Sequence, residues 1–258
     1  MDSLLAEIMR SLGFLTRLRI SQAWFDGQNG SLAENARVFP LAGALIALPA
    51  AFVLIVATLF NLPPVVASIL AIGTLTIVTG ALHEDGLADI ADGFFGGATV
   101  ERRLEIMKDS RIGTFGGLAL IISVALRALL FATLIERAGV GLAALALIGT
   151  EAASRAVLVA FWRMLPSARP GGVADGAGAP DDTGAFTALL AGFFFLVATY
   201  VPAGGIGGLL VAVLLCAAAT FGFANLCHHK IGGQTGDALG AAQQIAALAL
   251  LMGLVMMA

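Results

Sequence analysis

Residues 38–60 contain no charged side chain, and six further stretches of the chain are almost as bare. A helix of about 20 mostly apolar residues crosses the hydrocarbon core of a bilayer while satisfying its own backbone hydrogen bonds. The candidate crossings are 38–60, 65–82, 115–135, 140–162, 186–201, 206–225 and 238–258. They predict an all-α polytopic membrane protein of about seven transmembrane helices, forming a single domain over residues 1–258. Pro49 and scattered glycines do not break a helix in this setting. Only 12% of the 258 residues are charged, about half the usual share, too few to cover a soluble globule. A formal net charge of −3 lacks the basic bias of a nucleic-acid binder. Cys216 and Cys227 lie in or beside apolar sequence, which is neither a disulfide framework nor a CxxC site.

Orientation follows from the basic residues, which concentrate in cytoplasmic loops. With the N-terminus inside, Arg10, Arg17, Arg19, Arg37, Arg102, Arg103, Lys108, Arg111, Arg163, Arg169 and Lys230 are cytoplasmic, eleven of the fourteen Lys and Arg. Only Arg137 falls outside, and Arg127 and Arg155 fall within spans. The C-terminus is then periplasmic. Residues 1–20 carry Asp2, Glu7, Arg10, Arg17 and Arg19 and no small-residue cleavage site, unlike a cleaved signal peptide. Within them, apolar positions 4, 5, 8, 12, 15 and 18 approximate one helical stripe. Two readings stand: an interfacial helix on the cytoplasmic leaflet, or a helix packed over the site described next.

The most informative segment is HEDGLADIADGFFGGATVERRLEIMKDSRIGTF, residues 83–115. Asp85, Asp89 and Asp92 are spaced i, i+4, i+7 and share a helical arc of roughly 60°. Like charges at this spacing repel, so the pattern calls for a cation. Clustered carboxylates suit Mg²⁺, which takes further oxygens from substrate phosphates. Glu84 lies about 100° away and joins the ligands only if the helix starts after it. Gly86 and Gly93 leave room for a phosphate or a hydrated ion to approach the backbone. The alternative is a solvated acidic loop. Downstream, Arg102, Lys108 and Arg111 offer phosphate partners beside Arg103, or serve as topology signals. Asp109 either orders them or binds a second metal. Ile112–Gly117 opens a helix whose N-terminus suits an anion.

Two further cytoplasmic loops contribute candidates. Arg163 and Arg169, in RMLPSARPGGVADGAG, form a phosphate clamp or lie in a plain connecting loop. Asp237, in GGQTGDALG, stands at a helix start and is read as a carboxylate facing the first three. Within the membrane, Glu151 and Arg155 are spaced as an ion pair that Arg127 can join. Intramembrane charges are functional candidates by default, but their concentration at one face favours a surface-facing catalytic cavity over a transport path. The residues point to a membrane enzyme that handles a diphosphate or phosphodiester with Mg²⁺.

TGALHEDGLADIADGF followed by RRLEIMKDSRIGTFGGLAL is similar to the signature of the cobalamin synthase (adenosylcobinamide-GDP ribazoletransferase) family. The resemblance extends to FLTRLRI, FPLAGALIAL, LPSARPGGV and GGQTGDALGA, in order along nearly the whole chain. It implies transfer of the adenosylcobinamide phosphate group from adenosylcobinamide-GDP to α-ribazole or its 5′-phosphate, releasing GMP, at a bacterial inner membrane with Mg²⁺. It implies that Asp85, Asp89 and Asp92 hold the metal on the diphosphate. Asp237 is then a further ligand or the base, and Lys108, Arg111 and Arg169 bind the diphosphate. A homo-oligomer is left open. The rivals are a CDP-alcohol phosphotransferase, a prenyltransferase with aspartate-rich loops and, from another class, a transporter. In the first, Ala-Arg would follow the Asp-Gly pair where this chain has Phe94-Phe95.

Overall fold

A computed structural model describes residues 4–25, 31–169 and 171–258. Asp2, Ser3 and Pro170, which figure in the sequence reading, lie outside the described residues. Within them the chain is helical, with one isolated bridge between Ser167 and Gln234. The helices are α1 (Leu4–Leu15), α2 (Phe39–Leu59), α3 (Pro64–Thr79), α4 (Leu82–Gly96), α5 (Val100–Ile106), α6 (Thr114–Ala138), α7 (Val140–Met164), the short α8 (Val173–Gly176), α9 (Asp182–Ile231) and α10 (Gly236–Val255). Five helical stretches are long and apolar enough to cross a membrane: Leu32–Leu59, which includes α2, and α6, α7, α9 and α10. α3 and α4 pass that test only as a pair, bent by 92°, so the stretch predicted at 65–82 does not qualify alone.

α7 and α10 form the enclosed centre, while α6 and α9 leave large apolar side chains such as Ile121, Phe194 and Leu214 exposed. Such a surface fits lipid, not water. Glycines allow close packing: Gly253 lies against Ala212 of α9, and Gly43 of α2 against the backbone of Glu151.

The predicted crossings 186–201 and 206–225 are one 50-residue helical run with a non-helical residue, Gly205, at φ 66° and ψ −172°. That conformation is open to glycine. The run folds back there. Asp182 at its start pairs with Arg163 at the end of α7, at 2.8 Å. Gln234, three residues past its end, exchanges backbone hydrogen bonds with Pro166 and Ala168. Between these, Tyr200 bonds Thr150 at 2.7 Å, and Phe223 stacks on Phe161. The two ends of α9 therefore meet near the same end of α7.

α1 turns its polar side inward. Glu7, Arg10 and Ser11 are buried, and Arg37 grips Glu7 through two hydrogen bonds of 2.5 and 2.8 Å. Leu4, Leu5 and Leu18 are exposed. The exposed Leu4 and Leu5 fit the interfacial reading, while Leu15 of the predicted stripe is buried in the bundle. No α1 residue lines the two cavities at the acidic cluster.

The elbow between α3 and α4 is made by Gly80 (φ 66°) and Ala81 (φ 60°). Arg17, just past α1, donates its backbone N–H to Val78 at 2.9 Å and packs its side chain on Gly80.

Candidate active site

α4 starts at Leu82, ahead of all its acids, and lies outside the five spanning stretches. Glu84 and Asp85 occupy its first turn, where the helix dipole favours negative charge. Asp85 is exposed, Asp89 half-buried and Asp92 buried. A cavity of about 300 Å³ brings Asp85 and Asp89 together with Lys108, Asp109, Ser110 and Arg111. A neighbouring cavity of about 550 Å³ is lined by Asp92, Arg102, Lys108, Asp109 and Arg111. The spaced carboxylates and the downstream cations thus share one region.

Asp237, in the first turn of α10, closes the cluster from another helix. A Cβ on Gly86 would stand 2.6 Å from the Asp237 carbonyl oxygen, so only glycine lets α4 and α10 approach this closely. Thr235 caps α10 by accepting the Ala238 N–H at 3.2 Å, and its hydroxyl donates to Asp237 Oδ2 at 3.3 Å. Burial pushes the Asp89 carboxyl up to about 7, helped by the neighbouring Asp237, Asp85 and Asp92 charges and opposed by Arg169. Arg169 is held by a 3.0 Å bond from Nη2 to the Leu104 carbonyl.

The other acids have partners of their own. Asp92 accepts the Gly113 N–H at 2.7 Å and the Gly116 N–H at 2.8 Å, so both its oxygens cap the start of α6. The helix N-terminus expected to suit an anion is occupied by the chain's own Asp92. Asp109 bonds the Arg111 guanidinium, which holds its carboxyl down at about 2; of its two readings, the ordering one matches this contact. Glu84 lies inside the helix, so the condition for its joining the ligands is not met. Its Oε1 accepts from Arg127 at 3.1 Å and Gln244 at 3.2 Å. Arg102 pairs with Glu105 at 2.6 Å. Arg163, paired with Asp182 at an exposed position, lines neither of the two cavities.

Among the described residues, no three His, Cys, Asp or Glu side chains stand close enough together to hold a metal as placed. The donor set still fits a hard cation. Asp85, Asp89 and Asp237 are oxygen donors; burial and then the neighbouring carboxylates raise the proton affinity of Asp89, and a bound divalent ion would relieve the repulsion part of that.

A family model described as Cobalamin-5-phosphate synthase matches residues 7–255. A Brucella anthropi protein named adenosylcobinamide-GDP ribazoletransferase is 56% identical over 255 residues, covering 99% of this chain and 98% of its own length. Proteins of the same name from Brucella ovis and Brucella canis are each 54% identical over the same shares. The chain belongs to the Cobalamin-5-phosphate synthase family. No solved structure matches it.

Two neutral residues that build the site carry no charge pattern and escape a sequence reading, and two cations counted there as topology signals or phosphate partners prove to be structural ties. Thr235 and Gln234 are buried beside Asp237. Arg103 spans three carbonyls, of Gly97, Ala98 and Lys230, and Lys230 Nζ reaches the Phe94 carbonyl at 3.3 Å. These bonds tie the end of α4 to the end of α9. Gln243 and Gln244, adjacent amides inside an apolar span, are the one visible signal, since polar groups in a membrane helix need a reason.

Proposed function

We propose that the chain transfers the adenosylcobinamide phosphate group from adenosylcobinamide-GDP to α-ribazole or α-ribazole 5′-phosphate, releasing GMP. The observation that carries this is identity of 54–56% across nearly the whole length of relatives bearing that enzyme name. The site chemistry supports it, because a diphosphate needs cations on its oxygens and the cavities supply them beside the acids. Lys108, Arg111 and Arg169 bind the phosphates. Asp85, Asp89 and Asp237 hold Mg²⁺, which when bound polarises the phosphoryl group and neutralises the leaving phosphate. The ribazole hydroxyl forms a bond to the cobinamide-linked phosphorus, its proton passes to a carboxylate of the cluster, and the P–O bond to GMP breaks. Asp109 orders Arg111 from outside the reacting atoms.

The same reading places the protein in a bacterial inner membrane with seven crossings, N-terminus cytoplasmic, C-terminus periplasmic and site facing the cytoplasm. The fold-back of α9 supports it, because that run then counts as two crossings, which makes six with the other four stretches, and the bent α3–α4 pair is taken as the seventh. So does the gathering of Arg163, Arg169 and Lys230 near one end of the bundle. A reporter fused after Ala258 that read as cytoplasmic would overturn this topology. The reaction is tested by incubating purified protein with adenosylcobinamide-GDP, α-ribazole 5′-phosphate and Mg²⁺. GMP is expected; CMP from a CDP-alcohol donor, without GMP, would transfer the assignment to the rival family.

A further inference from the structure

Beneath the acidic cluster, four helices are stitched by one buried polar chain. Arg155 and Glu151 of α7 pair at 2.6 Å. Gln243 of α10 donates to Glu151 at 3.4 Å and to Ser154 at 2.9 Å. Gln244 donates to Gln243 at 3.0 Å and to Glu84 of α4 at 3.2 Å. Arg127 of α6 completes the chain on Glu84. All six of these linked side chains, Glu84, Arg127, Glu151, Arg155, Gln243 and Gln244, are buried.

The site carboxylates ride on the same backbone. Glu84 directly precedes Asp85, and Gln244 follows Asp237 by two helical turns, on the same face of α10. The Glu84–Gln244 bond therefore fixes how α4 sits along α10, and with it the separation of Asp85 and Asp89 from Asp237. Something must fix it, because these acids repel one another across that same junction. Stability alone does not explain the arrangement. Among the described residues Glu84 Oε2 and Arg127 Nε lack hydrogen-bond partners, and well-packed apolar side chains stabilise a core as well as a buried ion pair does.

We propose that Arg127 and Gln244 are positioning residues, acting through Glu84 to set the spacing between the α4 carboxylates and Asp237. This rests on the metal reading above and deepens it. The test uses full-length protein in detergent, with Mn²⁺ as the probe and two readouts. The first is Mn²⁺ affinity by electron paramagnetic resonance. The second is the distance between spin labels at Gly96→Cys on α4 and Gly236→Cys on α10, with Cys216→Ala and Cys227→Ala removing the native thiols. A Cβ at either glycine meets no atom closer than 3.5 Å. Gln244→Leu and Arg127→Met are expected to remain folded by thermal melt, to broaden or shift the label distance, and to weaken Mn²⁺ binding about tenfold, as outer-shell changes do. In a Glu84→Gln background neither should add further loss, because both act through that carboxylate. If Arg127→Met does not fold, Arg127→Lys and Gln244→Leu carry the test. An unchanged distance and affinity in a folded variant overturns the proposal, as does full additivity with Glu84→Gln. Mn²⁺ binding that survives Asp89→Asn, with Arg127 and Gln244 left intact, would instead sink the metal reading, and the label distance still decides the positioning role.

Discussion

Two groups of charges meet at α4, where Glu84 belongs to one and Asp85 to the other, and they are resolved in opposite ways. In the bundle interior, Glu84, Arg127, Glu151 and Arg155 pair anion with cation. At the cytoplasmic surface of the proposed topology, burial raises the proton affinity of Asp89, the Asp237 and Asp85 charges add to it, and Arg169 opposes it. Asp92 belongs to neither group, since α6 supplies its partner. Acids left in mutual repulsion beside an interior that pairs its charges are the ones the proposed reaction would assign to a cation from outside. The contrast separates structural charges from chemical ones without reference to any relative.

The contrast is broken most directly by neutralising one charge in each group. Asp89→Asn is expected to lower GMP release roughly a thousandfold while the protein inserts and purifies normally; full activity at saturating Mg²⁺ would end the distinction. Glu151→Gln should do the reverse, destabilising the bundle by about 3–5 kcal/mol because Arg155 is left buried without its counter-ion. A detergent melting curve reads that loss, and removing both partners should cost less than removing one.

pH sharpens the comparison further. Asp89 is held up at about 7, above its ordinary value of 3.8, so the folded, metal-free protein binds a proton that the unfolded chain releases. Its contribution therefore lowers metal-free stability as pH rises from about 4 to 7. Divalent-ion affinity should rise with pH over the same window and level off above 7, with proton release visible by calorimetry in two buffers. Asp92→Ala should cost about 1 kcal/mol as a lost helix cap, read as a lower melting temperature, with a smaller loss of activity than at Asp89. Arg163→Ala removes only an exposed pair with Asp182 and should shift stability by less than about 0.5 kcal/mol, leaving GMP release within twofold.

The apolar stretches and the acidic spacing were legible from the sequence because both are local periodicities. The reversal inside α9 was legible as two stretches around Pro202–Gly205, though hydrogen bonding runs nearly unbroken across it. Partner choice was not legible. Arg127 was placed with Glu151 because both are intramembrane charges, yet its bond is to Glu84 on a helix 43 residues earlier; two glutamine amides of α10 bridge the gap. Asp92 looked equivalent to Asp85 and Asp89 by spacing, since spacing says which way a side chain points and nothing about the helix start it meets. Thr235 and Gln234 were missed because a neutral cap at a loop end leaves no pattern in charge or hydropathy.

The approach of Gly86 to Asp237 also bears on how the protein is made. The acidic helix is synthesised early, its cap at Gly113–Gly116 follows, and Asp237 emerges only with the last helix. A nascent chain therefore carries the α4 acids through most of its synthesis and acquires the last carboxylate only when α10 docks. Truncated products stalled before that point would insert into the membrane without the last carboxylate of the cluster.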